Sequence, residues 1–359
     1  MDQVDKTIGT AFPDRRAVEE FQSALVSWFA REGRDYPWRR TRNPYAILVS
    51  ELMLQQTQIA TVLERGYFDR WMKRFPDLRA LANASEEEVL KAWEGLGYYN
   101  RARNLQKAAR TILDRRDGRF PETVEEMLEL PGVGRYTAGA VVSFAFDRRG
   151  VIVDGNVTRV LSRVLAHRNP VDTPAAAKLI WSCADRLTPD VGAKAYNSAV
   201  MELGQRLCTK AAPACDRCPV RGQCAARERG IAGILPVKKR KSAAIAREER
   251  IVIPVRKERV FLCRETGSRR RGLWRLPEIT EGVAGGLHEL FRFNYAITRY
   301  RVNLVAYGAP ASRIVALTRN LEGEWFPFGS LDDLPPLGSP YRKALENYRN
   351  SNENGGAIR

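Results

Sequence analysis

The chain has 359 residues, a formal net charge of +17, six cysteines and only two histidines. That length predicts two domains with buried cores, and the basic excess suits a polyanion held through phosphate contacts, although a merely solubilising surface is the plainer alternative. His167 and His288 are too few for histidine-based catalysis or metal binding, and no eighteen-residue apolar run or basic-then-apolar leader occurs, so the chain reads as soluble and cytoplasmic, with no membrane association.

The first informative stretch is Tyr45–Leu54, an apolar helical pattern carrying one carboxylate, Glu51, and followed by Gln55-Gln56-Thr57-Gln58. The spacing i, i+4, i+7 predicts that Glu51, Gln55 and Gln58 share a helix face. A carboxyl among apolar neighbours is pushed towards the protonated form, which a general acid needs. A solvated glutamate on an ordinary amphipathic helix is the alternative.

Helical periodicity continues through Val124–Leu130, Thr137–Phe146 and Val157–Leu165. Between the first two lies Leu130-Pro131-Gly132-Val133-Gly134, whose paired glycines allow a tight hairpin. Gly132, Gly134 and the adjacent Arg135 therefore predict a backbone nest that grips a DNA phosphate without reading sequence. Asp154 opens Asp154-Gly155-Asn156 just before the third helix. Taken alone it is an N-cap. Paired with Glu51 it completes the two-carboxylate arrangement that breaks glycosidic bonds, one acid protonating the leaving group and one anion facing the oxocarbenium-like sugar.

Cys208, Cys215, Cys218 and Cys224 follow at C-x6-C-x2-C-x5-C. A tetrathiolate zinc site usually brings two C-x2-C knuckles, whereas iron–sulfur clusters tolerate uneven spacing, so the spacing favours a [4Fe–4S] cluster and leaves zinc or disulfides open. Cys183 and Cys263 read as core packing. The join holds Pro236 and the basic run Lys238-Lys239-Arg240-Lys241, an exposed connector. Beyond it, β-rich runs appear at Ile251–Val255, Val260–Cys263, Tyr295–Ala306 and Gly323–Phe328, and residues after about Asn350 look frayed.

Together, Ser50–Gln58, Gly95-Leu96-Gly97-Tyr98-Tyr99, Leu130–Thr137, Asp154-Gly155-Asn156-Val157 and the four cysteines closely resemble the MutY-type adenine DNA glycosylases of the helix-hairpin-helix superfamily. The resemblance is dense over residues 20–228. It implies an all-α glycosylase, a six-helix barrel plus [4Fe–4S] module, followed by a smaller α+β Nudix-like domain. The domain boundaries it suggests are 1–228, a basic linker 229–250, a lesion-recognition domain 251–350 and a tail 351–359. It assigns the four cysteines to the cluster. It also implies a monomer acting on double-stranded DNA that contains adenine mispaired with 8-oxoguanine or guanine.

The resemblance carries roles residue by residue. Glu51 matches the acid that protonates adenine at N7, and Asp154 the carboxylate that stabilises or briefly traps the sugar C1′ centre. Tyr136 and Asn156 match residues that position this chemistry. Arg39 and Glu202 match contacts to the flipped adenine, and Gln56 and Tyr98 match wedges near the orphaned base. Tyr136 stands where bifunctional relatives hold a Schiff-base lysine, so the expected enzyme is monofunctional and leaves an abasic site. In the second domain, Gly272–Pro277 and Trp325-Phe326-Pro327 resemble the MutT-like module, but a Glu-rich Nudix helix is missing from the sequence. Ile297-Thr298-Arg299 replaces a Phe-Ser-His segment used to sense 8-oxoguanine, so Thr298 and Arg299 are the candidate lesion contacts. A mismatch thymine glycosylase and a non-catalytic iron–sulfur lesion binder remain as alternatives. Gln55-Gln56, Gly155 and the second domain argue against the first, and retention of both Glu51 and Asp154 argues against the second.

Overall fold

The computed structural model describes residues 3–239, 243–267 and 270–353. Arg240 and Lys241 of the basic run, and residues 354–359 of the expected tail, lie outside the described residues. The chain divides into two compact units, Met1–Val62 with Lys107–Arg240, and Leu63–Gln106 with Lys241–Arg359. Among the described residues no helix is long and apolar enough to cross a membrane.

The first unit is helical. Its core joins Phe21, Leu25 and Trp28 of the helix Arg15–Glu32 to Val160, Leu161 and Val164 of Gly155–Val164. Ile180, Cys183 and Leu187 of Pro174–Leu187 and Tyr196, Val200 and Leu203 of Ala193–Arg206 complete it. Each such side chain contributes about 1.5–3 kcal/mol on burial, before the entropy of ordering is subtracted. Helix starts follow local chemistry: Asp14, Asn43, Thr123, Asp154 and Thr173 each accept a first-turn backbone N–H through the side chain.

Helix Pro44–Leu54 is buried from Tyr45 to Met53, so Glu51 is enclosed rather than on a solvated face. The helix stops at Leu54. Gln55 is an extended cap and Gln56 turns left-handed at φ 58°, which corrects the expectation that Glu51, Gln55 and Gln58 share one face. Four polar residues in a row leave nothing to bury on a further turn, and Thr57 N–H closes a turn on the Leu54 carbonyl instead.

In the second unit, Trp71 meets Phe75 and Trp93 edge-on at ring separations of 4.9 and 5.2 Å. The C-terminal half builds β1 (Ile245–Ile253), β2 (Val255–Arg256), β3 (Arg259–Arg264), β4 (Trp274–Arg275), β5 (His288–Ile297), β6 (Tyr300–Gly308) and β7 (Gly323–Pro327). One sheet has the order β1-β6-β5, with β1 parallel to β6 and β5 antiparallel to it. In the other, β3 pairs antiparallel with β2, β4 and β7. Ile251, Ile253, Leu262, Trp274, Leu304 and Leu337 form the core with Tyr341, Ala344 and Leu345 of the helix Ser339–Glu353.

Three boundaries differ from the sequence reading. Strand β1 begins at Ile245, inside the expected linker, because β6 pairs it along its whole length. Tyr295–Ala306 is not one run but the two arms of a hairpin, turned at Thr298 and Arg299. Helix Ser339–Glu353 runs three residues beyond Asn350. The segment Leu63–Gln106 packs on the C-terminal half through polar ties: Tyr99 Oη donates to the Leu337 carbonyl (3.0 Å), Leu337 N–H to Glu94 (2.9 Å), and Arg342 to Glu94 (2.7 Å).

Candidate active site

Within the first unit, one cavity of about 1220 Å³ is lined by Arg39, Glu51, Gln55, Gln56, Gly132, Gly134, Arg135, Tyr136, Asp154 and Asn156. Of the site residues that the sequence places in this unit, all but Glu202 and the four cysteines line this common space. Tyr98, Thr298 and Arg299 belong to the second unit.

Glu51 is 5% exposed. Burial raises its pKa from the ordinary 4.5 to about 7, a hydrogen bond from Tyr136 works against the rise, and the Asp154 carboxylate adds to it. Burial and both carboxylates hold the Tyr136 hydroxyl well above its usual pKa, so it remains a donor. Asp154 caps its helix: Oδ1 accepts from Val157 N–H (2.7 Å) and Oδ2 from Asn156 Nδ2 (2.8 Å). The two carboxyls thus sit in different surroundings, Glu51 desolvated and Asp154 held by two fixed donors.

The sign of the Glu51 shift fixes a stability prediction. A native pKa above the unfolded value stabilises fully below about pH 4.5, and the contribution is lost as pH rises through about 7. The loss approaches about 3 kcal/mol by pH 9. Glu51→Gln cannot titrate, so urea unfolding should show it gaining stability relative to wild type between pH 5 and pH 9. An unchanged difference across that range would contradict the buried-acid assignment.

Glu202 is fully buried, with Arg34 at 2.6 Å and Arg39 at 2.9 Å from its oxygens. Arg39 also packs its guanidinium over the Tyr36 ring at 4.7 Å. At the hairpin, Gly132 takes φ 76°, and the helix Arg135–Phe146 starts from Gly134 with no side-chain cap, leaving first-turn N–H groups for an anion. Arg135 is exposed, but its guanidinium lies 3.8 Å from the centre of the Trp181 ring, so it is held by an aromatic face next to the nest.

Two arginines that the sequence reading passed over tie the site to the cysteine loop. Arg159 donates to Asn156 Oδ1 (2.8 Å) and to the carbonyls of Gly204 (2.6 Å) and Cys208 (2.7 Å). Arg163, 1% exposed, donates to Cys208 Sγ (3.2 Å) and to the carbonyls of Thr209 (2.8 Å) and Leu235 (3.0 Å). They stand at i and i+4 on a helix whose other inward residues are Val157, Val160, Leu161 and Val164. Gly204 is required here, since a Cβ on it would lie 2.7 Å from that of Asn156. Arg159→Met leaves three acceptors unpaired near Asp154. It is expected to lower unfolding stability by about 2–4 kcal/mol and to loosen the Asn156–Asp154 contact. A denaturation midpoint equal to wild type would contradict this.

Cys208, Cys215, Cys218 and Cys224 line one small cavity with Arg163. Burial pushes the Cys218 thiol up to about 12, and Cys208, Cys224 and Cys215 push in the same direction. None of the six cysteines is in a disulfide. Among the described residues no three His, Cys, Asp or Glu side chains are grouped so as to hold a metal ion. Arg217 is within 4.0 Å of Glu32, and Lys210 lines the main cavity. Cys183 and Cys263 are both buried, in a helix and in β3.

A helical scaffold and a glycine hairpin bring two unlike carboxyls into one cavity, and comparisons with known proteins supply the family. Residues 49–183 match the HhH-GPD superfamily of base excision DNA repair proteins. An adenine DNA glycosylase of Mus musculus is 45% identical over 61% of this chain and 44% of its own. An adenine DNA glycosylase of Buchnera aphidicola subsp. Schizaphis graminum is 31% identical over 65% of this chain and 67% of its own. The chain belongs to the adenine DNA glycosylase family. A solved thermostable thymine-DNA glycosylase is similar with a TM-score of 0.53, at 27% identity, covering 64% of this chain and all of that one. The aligned part spans less than half the length of the mouse and human relatives.

Proposed function

We propose that the protein is a monofunctional base-excision repair glycosylase that removes adenine mispaired with 8-oxoguanine or guanine. The observation that carries this reading is the buried Glu51, with a pKa near 7, sharing a cavity with the capped carboxylate of Asp154. Adenine must leave the stack to be reached, and the cavity receives it. Glu51 gives its proton to N7, making the base a neutral leaving group. As the C1′–N9 bond breaks, Asp154 faces the developing positive charge at C1′, held in place by Asn156. Water then adds at C1′ and gives its surplus proton to the Glu51 carboxylate, which restores the acid and leaves an abasic site. Tyr136 donates to Glu51 and has no amine with which to form a Schiff base. Arg39 and Glu202 contact the extruded base, Gln56 and Tyr98 each act as a wedge in the base stack, and Gly132, Gly134 and Arg135 hold a phosphate.

The partner is double-stranded DNA, bound by a monomer in the cytoplasm at the nucleoid. Cys208, Cys215, Cys218 and Cys224 would hold a [4Fe–4S] cluster. Four thiols around one cavity, with Arg163 donating to one of them, are a donor set that suits it. When bound, the cluster would fix the Cys208–Cys224 loop.

In this reading the chain comprises a helical glycosylase part over residues 1–228, a basic linker at 229–250 and a Nudix-like module at 251–350. Between β4 and β5 the module has a single short helix, Glu281–Ala284, too short for a magnesium-binding Nudix helix, which supports a binding role. At its β5–β6 turn Thr298 is exposed and left-handed at φ 50°, an uncommon conformation for a β-branched residue, beside an exposed Arg299. These two residues are the lesion contacts in this reading. Single-turnover release of adenine should be fastest opposite 8-oxoguanine, and Arg299→Ala should reduce that advantage over guanine by about tenfold, the size of one charge-assisted contact. Equal rates opposite the two bases in wild type would contradict it.

A further inference from the structure

Tyr98 is the largest exposed aromatic side chain of its unit's helical segment, 53% exposed and held at φ 47°. A tyrosine rarely adopts that backbone region, so something must over-determine it. The loop before it turns on Gly95 (φ 93°) and Gly97 (φ 68°), which aim the carbonyls of Leu96 and Gly97 inward. Both meet one guanidinium. Arg101 Nη2 donates to Leu96 O (2.9 Å) and to Gly97 O (3.0 Å), and Trp93 Nε1 donates to Gly97 O as well (3.1 Å). The Arg101 backbone N–H closes on the Tyr98 carbonyl at 2.9 Å.

The same guanidinium lies 5.5 Å from the centre of the Tyr98 ring and 5.3 Å from that of Trp93. It touches the wedge candidate from below while pinning the backbone that carries it. Its location is poor for stability alone. Arg101 is 8% exposed and is the second residue of the helix Asn100–Arg116, where a cation opposes the helix dipole. Burial lowers its pKa to about 10, so it still carries its charge at neutral pH.

We propose that Arg101 is a positioning residue for base extrusion: it braces the left-handed Tyr98 loop so that the tyrosine ring enters the stack as a rigid wedge. The proposal rests on the glycosylase reading and on Tyr98 acting as a wedge within it. A rigid wedge lowers the cost of opening a stacked pair and does nothing for a base that is already unstacked. A side chain that only held the fold together would affect both substrates alike.

The test compares single-turnover adenine release from a duplex with adenine opposite 8-oxoguanine and from the same strand with adenine in an unpaired three-nucleotide bulge. Wild type, Arg101→Met, Arg101→Lys, Tyr98→Ala and the Arg101→Met/Tyr98→Ala double variant are measured, with thermal unfolding of each. Arg101→Met is expected to slow release from the duplex by about tenfold and from the bulge by less than twofold. In the Tyr98→Ala background it should add nothing further. Arg101→Lys keeps the charge without the fork and should lie between. Should Arg101→Met fail to melt cooperatively, the lysine variant carries the same comparison. Equal slowing on both substrates, or a full additional loss in the double variant, would overturn the proposal while leaving the glycosylase reading intact. Failure of wild type to release adenine from either substrate would instead overturn that reading, and this proposal with it.

Discussion

Glu51→Gln is expected to bind duplex DNA carrying a mispaired adenine within about twofold of wild type, yet to release the base about 10³-fold more slowly, the middle of the range for one general acid. Glutamine keeps the shape and can still accept the hydrogen bond from Tyr136, so the cavity survives the change. What it removes is the transferable proton. The pH dependence follows from the same group. With a pKa of about 7, wild type should release adenine at a constant rate in mildly acidic buffer, and the rate should then fall tenfold per pH unit above about pH 7. Burial is the cause of the shift, so a polar residue next to Glu51 should move the fall to lower pH. Base release that persists in Glu51→Gln would remove Glu51 from the acid's role.

The second large effect is at Asp154. Asparagine caps helices as well as aspartate does, so Asp154→Asn should keep the bond from Val157 N–H, lose the one from Asn156 Nδ2, and cost only about 1–2 kcal/mol of stability. Base release should nevertheless fall by 10²–10³-fold, because a neutral amide cannot balance the charge developing at C1′. This pairing of a small stability change with a large rate change separates the catalytic carboxylate from a simple helix cap. A variant that lost stability and activity in proportion would support the cap alone. The two carboxyl variants should also differ in their pH profiles: Asp154→Asn removes one of the charges that raise Glu51, so its residual rate should begin to fall at a lower pH.

Much of the site was legible because its chemistry is local. A lone carboxylate in the apolar stretch Tyr45–Leu54, a double-glycine hairpin and an aspartate at a helix start each announce themselves within ten residues. The extent of Pro44–Leu54 was less clear, because the Gln55–Gln58 run fits a helical spacing on paper and only the absence of anything to bury ends the helix. Arg159 and Arg163 were missed for another reason. On a sequence an arginine looks like a solvated residue, and their value comes from carbonyls 45 or more positions away, at Gly204, Cys208 and Leu235. The hairpin within Tyr295–Ala306 was hidden because Thr298 and Arg299 are not ordinary turn residues, and β5 and β6 are needed to hold Thr298 left-handed. The early start of β1 likewise depends on its partner β6, which lies about 55 residues on.

The most direct test of the whole account is the identity of the product. Wild-type protein is incubated under single-turnover conditions with duplexes carrying adenine opposite 8-oxoguanine, adenine opposite guanine, adenine opposite thymine, and thymine opposite guanine. The released base is identified by chromatography, and strand integrity is followed before and after alkali. The account predicts free adenine from the first two duplexes, thymine retained in the last, and strands that break only after alkali. Free thymine, or strand breaks without alkali, would contradict it.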